Sequence, residues 1–93
     1  MKRHDKFYVY MLQDKNGAFY TGYTADIKKR IALHEKGLGA KYLNGRKPLK
    51  LVFQKESRYY KTALNAERKI KQYTRDRKED LVKIFSQEDS GTI

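Results

Sequence analysis

An α+β domain of three strands and three helices is predicted by two kinds of periodicity in one short chain. Apolar and polar residues alternate from Lys6 to Gln13 and again from Ala18 to Tyr23, and a third apolar run, LKLVFQK, spans Leu49 to Lys55. Two longer stretches instead repeat with a helical period near residues 25–36 and 58–73. At 93 residues the chain is one domain, expected over residues 5–86 with a flexible polar tail at 87–93. With no cysteine it has neither a disulfide framework nor a thiolate metal site.

The first two strands are joined by Asp14, Lys15, Asn16 and Gly17, a strong hairpin signal. A two-residue Asn16-Gly17 turn puts Tyr10 and Tyr20 on opposite faces. A three-residue loop with Gly17 in the left-handed region instead pairs Asp14 with Ala18, Leu12 with Tyr20 and Tyr10 with Gly22. The second register is preferred because it gathers Phe7, Val9, Met11 and Phe19 on one face, and a one-residue slip scatters that set. Tyr8, Tyr10 and Tyr20 then share the other face. Gly22 leaves space beside the Tyr10 phenol, as a closely approaching ligand requires; a tyrosine-rich packing layer is the alternative.

Thr24 is the expected N-cap and Asp26 a first-turn acid of a helix from Ala25 to about Lys36, ended by Gly37 and Gly39. Stepping about 100° per residue puts Lys28, Lys29, Ala32, Glu35 and Lys36 on one side. Arg30 and His34 fall on the other, among Ile27, Ile31 and Leu33. A glycine- and lysine-rich connection, KGLGAKYLNGRKP, follows, with a short helical turn expected near Ala40 to Leu43. The second helix, about Arg58 to Tyr73, carries Glu67 on the same arc as Ala63, Ala66 and Ile70. Thr74 is expected to cap a third helix, Arg75 to Phe85, and Ser86 to Ile93 to fray. His4 is expected at the surface.

Charge narrows the function. Lys and Arg number 22 against 11 Asp and Glu, a formal net charge of +11, so the chain attracts polyanions and favours nucleic acid over other partners. Lys36, Lys41, Arg46 and Lys47 in the glycine-rich connection are the expected phosphate contacts. No stretch is apolar enough for a signal peptide or a membrane span, which predicts a cytoplasmic location, with a monomer as the default state.

Tyr10, Tyr20, Arg30, His34 and Glu67 therefore converge as one candidate polar site. Phosphodiester hydrolysis needs an activated nucleophile, charge neutralisation at phosphorus and help for the leaving oxygen. A single carboxylate holds a hard divalent ion weakly, but Mg²⁺ commonly keeps several waters and takes further ligands from phosphate. Each residue taken singly is compatible with a structural role, such as an Arg30–Glu67 ion pair or a satisfied core histidine.

With those residues in place, the chain resembles the GIY-YIG nuclease superfamily over most of its length. Tyr8-Val9-Tyr10 matches the first motif and Tyr20-Thr21-Gly22 the second; Arg30 lies ten residues beyond Tyr20, His34 four further, and Glu67 sits in NAERKIKQYT. The segments YVYML, YTGYT, GLGAKY and AERKIKQYT are most similar to the small stand-alone bacterial members. The resemblance implies a central antiparallel three-stranded sheet flanked by helices, and metal-dependent cleavage of DNA. It implies that Tyr10 or Tyr20, with Tyr10 preferred, activates the attacking water and that Arg30 contacts the scissile phosphate. It further implies that His34 assists proton movement and that Glu67 holds Mg²⁺ or Mn²⁺. Tyr8 stands where the first motif usually opens with glycine, Thr21 is the middle residue of the second, and no asparagine follows Asn65. A nucleic-acid-binding module that keeps the nuclease fold with weak or no activity is the alternative reading.

Overall fold

The computed structural model describes residues 6–90, so His4 and residues 91–93 of the expected tail lie outside the described residues. Its elements run β1 (Phe7–Gln13), β2 (Phe19–Thr24), α1 (Ile27–Glu35), a single 3-10 turn (Lys41–Leu43), β3 (Lys50–Ser57), α2 (Tyr60–Lys71) and α3 (Arg75–Ser90). The strands form one antiparallel sheet in the order β2-β1-β3.

The hairpin takes the three-residue loop. Leu12 pairs with Tyr20 and Tyr10 with Gly22, while Gly17 sits at φ 87°, a conformation that costs glycine little and other residues more. Asp14 fixes the turn, its carboxylate accepting the amides of Asn16 at 2.8 Å and Ala18 at 3.0 Å. Burial pushes the Asp14 carboxyl up, but those two amides and the Arg46 guanidinium outweigh it and hold the group below the usual carboxylate range.

Alternation along β1 feeds two apolar layers. Val9 and Met11 pack with Phe53, Val52 and Ile70 on the face covered by α2 and α3, joined by Phe19, Ala66, Leu81 and Phe85. Tyr10 and Leu12 point the other way, to Leu43 and to Ile27 and Ile31 of α1. Strand β3 serves both layers through an irregularity in the ladder: Met11 pairs with Phe53 but Leu12 with Leu51. Val52 is the extra residue, so Leu51 joins the α1 layer and Phe53 the opposite one. Period-two reading of LKLVFQK puts Leu51 and Phe53 on one face, and the bulge separates them.

Several element ends differ from expectation for local reasons. The N-cap of α1 is Asp26, not Thr24: Asp26 is extended and its carboxylate accepts the Lys29 amide at 3.1 Å. Thr24 instead accepts the Asp26 amide through its hydroxyl at 3.1 Å, which turns the chain out of β2. Thr74 does hold the Arg77 amide at the start of α3. That helix continues past Phe85 to Ser90 because no glycine or proline interrupts the chain before Gly91. The expected fraying from Ser86 is therefore not seen through Ser90.

Among the described residues, Thr21 Oγ1 is buried without a hydrogen-bond partner, and a lost hydration of that kind is destabilising. Thr21→Val should therefore raise stability, by about 1 kcal/mol, read as a higher urea midpoint at unchanged slope. A lower midpoint would mean that the hydroxyl is paired in solution.

Candidate active site

The imidazole of His34 is buried, 2 % exposed, in the last turn of α1. Helix α1 stops there in a Schellman arrangement: Gly37, at φ 77°, donates to His34 O, and Leu38 donates to Leu33 O at 2.9 Å. The reversal brings Gly39 against the ring, where any side chain would collide with His34 Nδ1. The next amide, that of Ala40, donates to His34 Nδ1 at 3.2 Å. On its other side the ring lies 3.0 Å, Nε2 to Oη, from Tyr10.

These two contacts fix the tautomer. Nδ1 accepts from a backbone N–H and so carries no proton, and a neutral imidazole must then carry its proton on Nε2. Nε2–H therefore donates to the Tyr10 oxygen, and the phenol's own proton points elsewhere. Burial and then the nearby Arg30 charge push the His34 pKa below its ordinary value, which favours that neutral state. His34 is thus a hydrogen-bond donor to Tyr10 rather than an acceptor of its proton, a narrower part than general help with proton movement.

Tyr10 reaches past the edge strand because Gly22 is opposite it. A Cβ at Gly22 would lie 2.6 Å from the Tyr10 oxygen, so the glycine is required by the phenol. A cavity of about 340 Å³ opens there, lined by Tyr10, Tyr20, Gly22, Arg30 and Glu67, with Tyr23 and Tyr60 at its margin. Four of the five candidate residues thus share one space, and His34 supports it from behind. Burial first, then Tyr20, push the Tyr10 phenol well above its ordinary pKa; Arg30 pulls it down and Glu67 adds to the rise. In the free protein Tyr10 is a neutral phenol.

Arg30 is exposed at this cavity and, among the described residues, its guanidinium makes no hydrogen bond or ion pair. The structural alternative of an Arg30–Glu67 ion pair is therefore absent. Glu67 pairs instead with Lys71, one helical turn on, at 3.4 Å, and its side chain is 13 % exposed. Among the described residues no three His, Asp or Glu side chains are grouped to hold a metal ion. Glu67 is the single carboxylate lining this cavity, a donor suited to an ion that keeps most of its water. A larger hollow of about 750 Å³ lies between α1 and β3, lined by Ile27, Ile31, Leu51 and Gln54. None of the five candidates lines it.

Tyr20 meets the imidazole edge-on, 5.5 Å between centroids, and stacks on Tyr42 at 6.2 Å. Arg46 lies over the Tyr42 ring, 4.3 Å from its centroid, and pairs with the buried Asp14 carboxylate at 3.1 Å. Arg46 is therefore occupied in tying the connection to the hairpin, whereas Lys36, Lys41 and Lys47 are exposed. Sequence reasoning missed this brace, the Ala40 amide on His34, and the Tyr23–Tyr60 hydroxyl contact of 3.3 Å. The spacing from His34 to Gly39 and Ala40, inside GLGAKY, was the available signal for the second.

Comparison with known proteins bears on the family and the fold. The model of the GIY-YIG catalytic domain family matches residues 6–80. A UPF0213 protein of Staphylococcus saprophyticus is 44% identical over 78 residues, covering 84% of this chain and 95% of that protein. One from Streptococcus pneumoniae is 38% identical over 77 residues, or 83% of this chain and 78% of that one. The solution NMR structure of a UPF0213 protein from Bacillus halodurans superposes with TM-score 0.57 at 42% identity, over 85% of this chain and 84% of that chain. A solution NMR structure of an E. faecalis protein gives TM-score 0.62 at 34% identity over 92% of each.

The His34 shift has a stability consequence with a definite sign. Its folded pKa lies below the unfolded value of about 6.5, so the unfolded chain binds more protons between the two. The contribution is complete above about pH 6.5 and declines as pH falls toward the folded pKa. Melting between pH 7.5 and 5.5 should show this loss, and His34→Gln should reduce the slope. Gly22→Ala should displace the phenol, lowering stability by about 1–3 kcal/mol and shifting the His34 ring resonances; unchanged resonances would contradict the close approach.

Proposed function

Because the chain belongs to the GIY-YIG catalytic domain family, we propose that it is a metal-dependent endonuclease hydrolysing DNA phosphodiester bonds. One observation carries the reading: a phenol, a guanidinium and a carboxylate line a single cavity, and a buried imidazole orients the phenol from behind. No core role requires Arg30 and Glu67 to face the same open space.

The proposed chemistry follows from what each side chain presents. The Tyr10 oxygen accepts a hydrogen bond from His34, so its own proton is free to point into the cavity. Because burial keeps that phenol neutral, Tyr10 acts as a relay. It takes a proton from the attacking water while passing its own to a phosphate oxygen or to solvent, and the His34 N–H stabilises negative charge on the phenol oxygen during the exchange. Arg30, unpaired and at the cavity, binds the scissile phosphate and offsets the charge that develops at phosphorus. Tyr20, held between His34 and Tyr42, is the better candidate for placing the phosphate.

Glu67 would hold Mg²⁺ or Mn²⁺, with water and phosphate completing the shell; the bound ion would supply Lewis-acid stabilisation of phosphate charge. Lys71 contacts one carboxylate oxygen, Oε2. With a single protein carboxylate, metal affinity in the absence of DNA is weak. We place the activity in the cytoplasm, in a monomer, on branched or damaged DNA of repair or recombination.

The test is nicking of supercoiled plasmid and cleavage of a branched DNA, with Mg²⁺, Mn²⁺ or chelator. Glu67→Ala should abolish metal-dependent cleavage and leave DNA binding nearly unchanged. Tyr10→Phe should lower the rate about 100-fold or more, and Tyr20→Phe less. DNA binding without cleavage under any of these conditions would favour a nucleic-acid-binding module with the nuclease fold.

A further inference from the structure

The connection after α1, which meets the cavity lining through the stack of Tyr42 on Tyr20, presents an apolar side chain where burial is the norm. Leu38 is 70 % exposed, the most exposed of the large apolar residues described. It occupies the position after the Schellman glycine, whose side chain usually folds back on the helix. Its backbone is nevertheless held, by the bond to Leu33 O on one side and by Gly39 packed against His34 on the other.

The charge around it selects a partner. From Lys36 to Lys55 the sequence contains no carboxylate. Lys36, Lys41 and Lys47 are exposed on the same connection, and Tyr42 is half-exposed beside them. An acid-free cationic loop suits a polyanion, and an apolar tip within such a surface suits the space between stacked bases. Leu38 is also only two residues from Ala40, whose amide meets His34, and Tyr42 of the same connection stacks on Tyr20, which lines the cavity, so DNA seated at the cavity meets this connection.

We propose that Leu38 is a wedge that enters the base stack beside the scissile phosphate and unstacks one step, while Lys36, Lys41 and Lys47 hold the flanking phosphates. The inference rests on DNA being the substrate of the adjoining cavity. It goes beyond that reading by assigning an unstacking role to a residue outside it. Because Leu38 carries no charge, its contribution is distinct from that of the lysines: it strengthens binding without altering the salt dependence.

The experiment uses the full chain with chelator, so that DNA is bound but not cut, and short duplexes carrying 2-aminopurine at successive positions. Wild-type protein should raise the emission at one step. Leu38→Ser should abolish that rise and weaken binding about tenfold with an unchanged salt slope, while Leu38→Met should retain both. Lys41→Gln should reduce the salt slope by about 1 and keep the rise. Binding with no rise at any position, or a rise that survives in Leu38→Ser, overturns the wedge but leaves the nuclease reading intact. Absence of DNA binding by wild type overturns both, and equal melting temperatures exclude misfolding of the variants.

Discussion

The Ala40 amide, the His34 imidazole and the Tyr10 phenol form a chain of hydrogen bonds on which the arrangement of the candidate site depends. A buried imidazole needs partners for both nitrogens, because an unpaired buried polar group costs about 1–3 kcal/mol. Satisfying Nδ1 with a backbone amide requires the chain to double back within six residues of His34. That return requires Gly37 in the left-handed region and Gly39 without a side chain. Satisfying Nε2 requires a phenol to cross from β1, and the phenol requires Gly22. Three glycines, one in β2 and two in the connection after α1, thus answer to one ring.

The same chain of bonds separates two kinds of electrostatic work. The buried part is kept neutral: His34 by burial and by Arg30, Tyr10 by burial and by Tyr20 and Glu67. The charged part, Arg30 and the Glu67–Lys71 pair, stands at the cavity where solvent or a ligand can meet it. Neutral groups inside cost less desolvation than ions do, and charges at the mouth remain available to a phosphate. Lys71 offsets Glu67 without closing the site, since its ammonium is exposed and contacts one of the two carboxylate oxygens.

Much of this was legible in residue order. The alternation in β1 and β2 selected the hairpin register, because one choice alone gathered Phe7, Val9, Met11 and Phe19, and the observed pairing of Tyr10 with Gly22 follows from it. Helical periodicity put His34 inward correctly. It also put Arg30 on the inward arc, yet Arg30 is exposed at the cavity, since a wheel reports direction and not whether anything covers that direction. Arg46 had the composition of a phosphate contact and turned out to brace the buried Asp14; that partner is 32 residues away and invisible to local reading. The bulge at Val52 was hidden for a similar reason, as it depends on which layer each side chain must fill rather than on its own polarity.

The proposed proton relay through Tyr10 depends on His34 being locked as a donor toward it, so the protonation of one ring is its most direct test. Nitrogen-15 NMR of the histidine side chains at neutral pH distinguishes the two neutral tautomers. The expected result is a His34 ring with Nδ1 unprotonated and the proton on Nε2. A ring protonated on Nδ1 would reverse the Tyr10 hydrogen bond, make His34 the acceptor of the phenol proton, and contradict the relay proposed here.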